Sequence, residues 1–483
     1  MRIIKIIGVV AAINMLARLL GFLREVVIGY QYGTSYQADS IITAFTIPNF
    51  IYLVVGGAIT TAFISVYSKL GEGRSTAFMQ TIFSLLCVVI GSVTLSFMVF
   101  PDYWMAVFFS GMPAHSFQLT SKLFLWMAPS TFFLVIGMWL SGVLNVHERY
   151  QLTAVSTLLF NGMFVAAGVV LYPWLDAFSY GIGATVGSIA MVVLLLVSIW
   201  RSKLVSLSFS YKKMPEMKRF FKLALPILFG GATIQFYFFI QRIFATNLEN
   251  GAIAALNYAS KMTQFPQAVL MTAVTTVIYP MLAKTATNDN PGKLEDHYQK
   301  GIRWLCILLL PATGFVYFYA KEIIAFIFEY GNFTADSTNF TYPLLQIFAW
   351  SMFGLAVNMY VTRFFYALEN AYLPVLINVL SVFGVNILVI YLFLDEMGAR
   401  AIALGTTVST IFNMVCMVIL AKQMYHFRLF QRKQGLKLLS YGIAVLLVIG
   451  LVASIQFVDG LTYLLIGGIT TALAILIGFK SLK

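Results

Sequence analysis

Five basic side chains interrupt apolar stretches of this sequence that are long enough to cross a membrane. They are Arg18, Arg24, Arg242, Lys261 and Arg363. A charge at the centre of a bilayer costs roughly 2.5–3.5 kcal/mol, so such residues usually face water, a partner or a ligand. Only Glu25 and Asp39 lie close enough to neutralise them. Guanidinium groups form paired hydrogen bonds with phosphate, so the positive surplus predicts an internal site for a phosphate-bearing anion.

These residues also admit structural explanations. Arg363 lies near the end of its apolar stretch, where a long side chain can extend to the membrane surface. Glu25 and Asp39 have three candidate roles, which are to orient the arginines, to bind a coupling cation or to neutralise charge. We expect orientation of the arginines.

The elements that position these residues are membrane helices. Of 483 residues, 60% are hydrophobic and only 10% charged, against roughly 45–50% and about 25% in soluble domains. A span needs about 20 apolar residues, and the apolar runs are continuous, which excludes alternating barrel strands. The sequence therefore predicts an all-α polytopic membrane protein with about 14 transmembrane helices. The predicted spans are 4–23, 38–67, 77–100, 119–144, 152–173, 178–200, 220–246, 252–283, 301–320, 338–367, 372–394, 398–421, 436–457 and 460–480.

The distribution of charge predicts the orientation of these spans. With the N-terminus in the cytoplasm, about three quarters of the 31 Lys and Arg residues lie in cytoplasmic loops. We therefore expect a multi-pass membrane protein with both termini in the cytoplasm. Anionic membrane lipids account for the basic charge, so no nucleic acid partner is expected.

An internal repeat relates two parts of the chain. Arg24 precedes Pro48 by the same number of residues as Arg242 precedes Pro266, and each Pro is a candidate helix break. A Thr pair follows each Pro, at 60–61 and 275–276. Repeated halves of a transporter enclose its substrate site. We therefore predict an N-terminal lobe (1–215) and a C-terminal lobe (216–425), of about six helices each, around a central cavity. Two additional helices (426–483) follow them.

The sequence carries no recognisable catalytic constellation. His147 and Glu148 begin a zinc-protease pattern, but Gln151 stands where its second His belongs. A phosphate-binding loop and a G-x-S-x-G motif are both absent from the sequence. Gly183 and Gly187 form a G-x-x-x-G motif that predicts close helix packing. We predict a transporter rather than an enzyme, with no catalytic residue, no metal and no cofactor.

Several motifs resemble those of the lipid II flippases of the MurJ/MviN type, within the multidrug/oligosaccharidyl-lipid/polysaccharide exporter superfamily. The resemblance is carried by residues 14–25 (NMLARLLGFLRE), 38–39, 47–49, 142–145, 257–261, 328–334 and 363–368. It implies a lipid-tail groove formed by the last two helices. It also implies alternating-access transfer of an undecaprenyl-pyrophosphate-linked peptidoglycan precursor (lipid II) to the outer leaflet, for cell-wall synthesis and cell shape. It further implies a location in the bacterial cytoplasmic (inner) membrane, with cell-wall synthesis enzymes as partners.

The resemblance and the residue pattern together predict the site. Arg18 and Arg24 would contact the pyrophosphate with help from Asp39 and Lys261, and the repeat adds Arg242. Supporting residues are Glu25, Asn49, Gln264 and Arg363.

The chain departs from the family pattern at several positions. Tyr52 and Leu53 replace an Arg pair, Ser260-Lys261 replaces Asp-Arg, and Gln264 replaces an acid. These departures leave open a flippase for another polyprenyl-pyrophosphate-linked repeat unit. A cation-coupled multidrug exporter of the same superfamily is a further alternative, which the surplus of cations disfavours because it would need buried acids and a less basic cavity. A coupling monovalent cation or the membrane potential would supply the energy.

Overall fold

The computed structural model describes residues 2–264, 266–267, 291–368, 370, 372–430, 432–455 and 460–482. These residues form helices joined by turns, and no strand occurs among them. Internal contacts divide the chain into two units, Met1–Ala254 and Ala255–Lys483. The three-part division at 215/216 and 425/426 stays a prediction.

The first unit consists of eleven helices and the start of a twelfth. Their bounds are α1 (Arg2–Tyr32), α2 (Tyr36–Ala44), α3 (Thr46–Ile51), α4 (Gly57–Tyr67), α5 (Glu72–Val99), α6 (Pro101–Phe109), α7 (Ala114–Val146), α8 (Tyr150–Val170), α9 (Tyr172–Leu175), α10 (Phe178–Ser202) and α11 (Pro215–Ala245). Helix α12, over 252–264, begins at the end of this unit.

The second unit continues from α12 with helices α13 to α20. Their bounds are α13 (Pro291–Phe318), α14 (Ala320–Phe328), α15 (Ala335–Ala367), α16 (Tyr372–Val379), α17 (Ile387–Met397), α18 (Ala399–Tyr425), α19 (Arg432–Ser454) and α20 (Gly460–Ser481). A π-helical segment, Leu380–Asn386, joins α16 to α17.

The described residues include 11 stretches that are long and apolar enough to span a membrane. Two further helices, α1 and α11, have 31 residues each but carry charged side chains. The eighth predicted span, 252–283, lies largely outside the described residues, as do its Thr275-Thr276 pair and the region after Pro266. The all-α polytopic fold is confirmed, and the described spans are consistent with fourteen.

The second predicted span is broken, as its Pro suggested. Helix α2 ends at Ala44, Phe45 forms the junction, and α3 begins at Thr46. Pro48 lies in the first turn of α3, where its missing N–H removes no intrahelical hydrogen bond. A π-helical segment, Tyr52–Gly56, then leads into α4. Tyr52 and Leu53, the residues that depart from the family pattern, therefore open the π turn.

Small residues bring α10 against α8 in the first unit. A Cβ added at Gly183 would lie 2.9 Å from the carbonyl oxygen of Phe164, and one added at Gly187 would lie 3.0 Å from that of Phe160. The predicted packing role of the G-x-x-x-G motif is confirmed. The close packing holds α8 between α10 and α1, which α8 also contacts.

The second unit has a separate apolar core. Tyr298 and Leu305 of α13 pack with Val361 and Phe364 of α15 and with Met417 of α18, and all five are buried. Helix α20 contacts the end of α13 through Gly467, where an added Cβ would lie 2.5 Å from the Tyr319 ring. The last two helices are therefore packed into this unit.

Candidate functional site

Arg24 forms an ion pair with its sequence neighbour on α1. Its Nη2 atom lies 2.7 Å from Oε1 of Glu25, and its Nε atom lies 3.3 Å from the same oxygen. The side chains of Arg24 and Glu25 are only 16% and 4% exposed. A nearly buried carboxylate thus holds the guanidinium in one orientation.

Two aromatic rings complete the surroundings of Arg24. Its guanidinium carbon lies 5.3 Å from the ring centroid of Phe45 and 4.8 Å from that of Phe164. The two rings contact each other edge to face, with centroids 5.1 Å apart. Phe45 lies at the junction of α2 and α3, and Phe164 lies on α8, which α10 packs against. The break in the second span and the G-x-x-x-G contact therefore both position groups around Arg24.

Arg242, near the end of α11, belongs to the same group of side chains. Its Nη1 atom donates a 2.9 Å hydrogen bond to Oγ1 of Thr46, which in turn donates to the carbonyl oxygen of Ile42 at 2.9 Å. Arg242 also interacts electrostatically with Glu25 and Arg24. The structure thus brings Arg24 and Arg242 together with Glu25. We call these three residues the arginine cluster; it carries one net positive charge.

Asp39 makes a different set of contacts. Its two carboxylate oxygens accept hydrogen bonds from the backbone N–H groups of Gly251 and Ala254, at 2.6 and 2.7 Å. A carboxylate at the start of a helix satisfies backbone donors that have no intrahelical partner. Gly251 has φ +91°, and an added Cβ there would lie 2.3 Å from the carbonyl oxygen of Thr34. Asp39 therefore caps the start of α12.

The other predicted residues of the first unit lie apart on their helices. Arg18 is exposed on α1. At 3.6 residues per turn, its six-residue separation from Arg24 directs the two side chains roughly 120° apart. Asn49 is half-buried on α3.

The remaining predicted residues belong to the second unit. Lys261 and Gln264 are half-buried on α12, and Arg363 is half-buried on α15. The Nε2 atom of Gln264 is buried and has no hydrogen-bond partner among the described residues.

Three residues of the site, Phe45, Thr46 and Phe164, were not predicted from the sequence. Aromatic residues are common in this chain, with 43 Phe, so their type alone singles out none of them. Thr46 lies two residues before Pro48, which is a candidate helix break. A helix break does not indicate which arginine its residues will contact.

Comparisons with known proteins agree on one family. Residues 28–468 match a family model described as "Lipid II flippase MurJ". A lipid II flippase MurJ from Burkholderia cenocepacia is 24% identical over 426 residues, covering 86% of this chain and 82% of the relative. A probable lipid II flippase MurJ from Rhizobium meliloti is 27% identical over 428 residues, covering 85% and 78%.

Solved structures agree on the fold. A structure titled "Lipid II flippase MurJ, inward closed conformation" matches with TM-score 0.84 and 23% identity, covering 97% of both chains. An inward-facing multidrug resistance MATE transporter of the MOP superfamily matches with TM-score 0.75 and 12% identity, covering 86% and 98%. The family model extends over most of the chain, and on that ground the chain belongs to the lipid II flippase MurJ family.

Proposed function

We propose that this protein transfers lipid II from the cytoplasmic to the outer leaflet of the bacterial inner membrane by alternating access, supplying peptidoglycan synthesis. The observation that carries this proposal is the match of residues 28–468 to the MurJ family. The arginine cluster supports it, since the cluster adds a net positive charge within an apolar helical unit, and a diphosphate is the complementary anion.

We propose that Arg24 and Arg242 bind the diphosphate of the substrate. In the absence of substrate, Glu25 and the two aromatic rings hold the Arg24 guanidinium in place. The Arg24 side chain therefore loses little conformational freedom when the diphosphate binds. An arriving diphosphate would share these donors with Glu25. Arg18 and Lys261 would add further cationic contacts, and Asp39 would act indirectly by holding the start of α12. Asn49, Gln264 and Arg363 remain predicted supporting residues.

We also propose an orientation for the chain in the membrane and an energy source for lipid transfer. Both termini would lie in the cytoplasm, and cell-wall synthesis enzymes would consume the product in the outer leaflet. A charge that crosses the membrane field gains about 2.3 kcal/mol per 100 mV, so movement of a net-positive site could couple transfer to the membrane potential. A monovalent cation is the alternative coupling agent.

Complementation tests this function. We expect the protein to restore growth and outer-leaflet lipid II, detected by an externally added lipid II-cleaving enzyme, in a bacterium depleted of its own flippase. The double variant Arg24→Gln/Glu25→Gln removes the ion pair without changing the net charge. Each charge-assisted hydrogen bond contributes roughly 1.5–3 kcal/mol, so we expect transfer to fall by about ten-fold or more.

The matched control is the double variant Arg74→Gln/Glu216→Gln, which removes an ion pair elsewhere in the first unit, 3.4 Å long and exposed at Arg74. It should transfer lipid II like the parent protein. Equal transfer by both double variants would remove Arg24 from the mechanism. Failure of the parent protein, with membrane insertion verified, would favour another polyprenyl-pyrophosphate-linked glycan or a drug substrate.

A further inference from the structure

A polar cavity lies within the second unit. It has a volume of about 520 Å³ and lies where the first turns of α13 and α19 meet the last turn of α20. Four of its lining residues are apolar, namely Trp304, Ile307, Phe479 and Leu482, and the others are polar or charged. The sequence analysis assigned no role to these residues.

The floor of this cavity is tightly packed. The hydroxyl oxygen of Tyr441 on α19 lies 3.3 Å from the carbonyl oxygen of Ile307 on α13 and 3.0 Å from that of Ala474 on α20. A Cβ added at Gly478 would lie 2.6 Å from the same hydroxyl oxygen. Tyr441 therefore links α13, which carries the lining residue Ile307, to α19 and α20.

The cavity wall carries a positive surplus in a fixed arrangement. The Nη1 atom of Arg303 donates to the carbonyl oxygen of Leu482 at 3.2 Å. The Nζ atom of Lys300 lies 5.3 Å from the ring centroid of Trp304. The lining contains one acidic residue, Asp296, and two basic residues, Lys300 and Arg303. The lining thus favours a ligand with one negative charge.

Gln434 adds a second recognition group. Its Oε1 atom is buried and has no hydrogen-bond partner in the described part of the chain. An unsatisfied buried acceptor is energetically unfavourable, and a phosphate, which offers only acceptor oxygens, does not satisfy it. A ligand that carries a hydroxyl donor beside its phosphate satisfies both Gln434 and the cations.

We infer that this cavity binds the headgroup of an anionic glycerophospholipid of the cytoplasmic leaflet. Lys300 and Arg303 contact its phosphate, and a headgroup hydroxyl donates to Gln434. A Trp ring beside Lys and Arg is typical of the membrane interface, and basic pockets between helices at the cytoplasmic surface suit lipid phosphates. Exposed apolar side chains of α20, including Leu473 and Leu476, offer a path for the acyl chains. The site is independent of the proposed flippase activity.

The test is retention of a defined lipid by the purified full-length protein. The probe is palmitoyl-oleoyl-phosphatidylglycerol, titrated in detergent and measured by native mass spectrometry against the phosphatidylcholine and phosphatidylethanolamine with the same acyl chains. We expect the parent protein to prefer phosphatidylglycerol. The double variant Lys300→Gln/Arg303→Gln should bind it about ten-fold more weakly, because two charge-assisted contacts are lost.

A charge-matched control removes two cations that do not line the cavity. Lys433 and Lys437 are exposed on the first two turns of α19. The double variant Lys433→Gln/Lys437→Gln should bind phosphatidylglycerol with an affinity within about two-fold of that of the parent protein. The single variant Lys300→Gln, at an exposed position, should weaken binding by itself and leave the Arg303–Leu482 contact in place.

Three outcomes would overturn the inference. Equal losses in the cavity variant and the control would reduce the effect to general basic charge. Equal retention of phosphatidylcholine would make the cavity a nonspecific apolar groove. Phosphatidylglycerol could also be displaced by inorganic phosphate, or by undecaprenyl pyrophosphate at a concentration below that of phosphatidylglycerol. Either result would show that the cavity binds a different phosphate-bearing ligand.

Discussion

At the scale of single residues, Arg24 is held by two kinds of contact that act in different directions. Glu25 binds the guanidinium edge at 2.7 Å, whereas the Phe164 ring faces the guanidinium carbon at 4.8 Å. A carboxylate in an apolar environment stabilises a cation strongly, and removing one partner of such a pair leaves an uncompensated charge. Glu25 also lies within electrostatic range of Arg242. The stability of the arginine cluster therefore depends on Glu25.

Neutralising Glu25 should destabilise the protein. In Glu25→Gln, the buried Arg24 guanidinium would lose its carboxylate partner, and we expect the free energy of unfolding to fall by about 3 kcal/mol. The measurement is reversible denaturation in bicelles. The matched variant Glu216→Gln breaks the pair with the exposed Arg74 and should cost less than about 1 kcal/mol. Equal losses in the two variants would contradict a special role for Glu25.

At the scale of helices, a few local features bring distant parts of the first unit together. The break after α2 directs Phe45 and Thr46 toward the two arginines. The G-x-x-x-G contact lets α10 approach α8 closely and so fixes the helix that carries Phe164. Cβ atoms limit how closely the backbones of α8 and α10 can approach each other, since packed interiors have little room for an added methyl group.

Adding a methyl group at the α8–α10 contact should therefore destabilise the protein. In Gly183→Ala the new Cβ would lie 2.9 Å from the Phe164 carbonyl oxygen and 3.0 Å from Cβ of Ala167, and we expect a loss of about 1–3 kcal/mol. Gly57→Ala is the control, because nothing lies within 4 Å of its added Cβ. That variant should gain about 0.5–1 kcal/mol from higher helix propensity. The thermal midpoint in detergent should therefore move in opposite directions, and a common direction would contradict this account.

At the scale of the whole molecule, the chain is a multi-pass inner-membrane protein of the MurJ family. Its basic residues concentrate in alternate loops, which is the pattern that governs insertion of membrane helices. Arg201, at the end of α10, lies on the predicted cytoplasmic side, whereas Arg400, at the start of α18, is one of the few cations on the predicted outer side. Both side chains are exposed.

Labelling of introduced cysteines should reveal the orientation. In a background with the native Cys87, Cys306 and Cys416 replaced by Ala, a membrane-impermeant maleimide should label Arg400→Cys in intact cells. It should label Arg201→Cys only after lysis, because the positive side faces the cytoplasm. Labelling of Arg201→Cys in intact cells would place that loop outside and contradict the predicted topology.

Much of the architecture could be predicted from the sequence. Helix length and apolar continuity identified the spans, because in a bilayer every backbone polar group must be satisfied within its own helix. The cost of buried charge selected five cations as candidates for a shared site, and the structure places two of them, Arg24 and Arg242, together with Glu25. The role of Gly183 and Gly187 was also predictable, since the absence of a side chain at that spacing has a direct packing consequence.

Partner choice was not predictable in this way. Asp39 was expected to orient an arginine, yet its carboxylate binds the backbone N–H groups of Gly251 and Ala254. Phe45, Thr46 and Phe164 gave no signal, because a chain rich in Phe and Thr offers many equivalent candidates. The cavity beside Lys300 and Arg303 could not be predicted either, because its lining residues come from three helices that are far apart in the chain. The order of residues along the chain is enough to show which segments lie in the membrane and which charges need a partner, because transfer free energies act residue by residue. The identity of each partner depends on the folded arrangement, because helices distant in the chain must first approach one another.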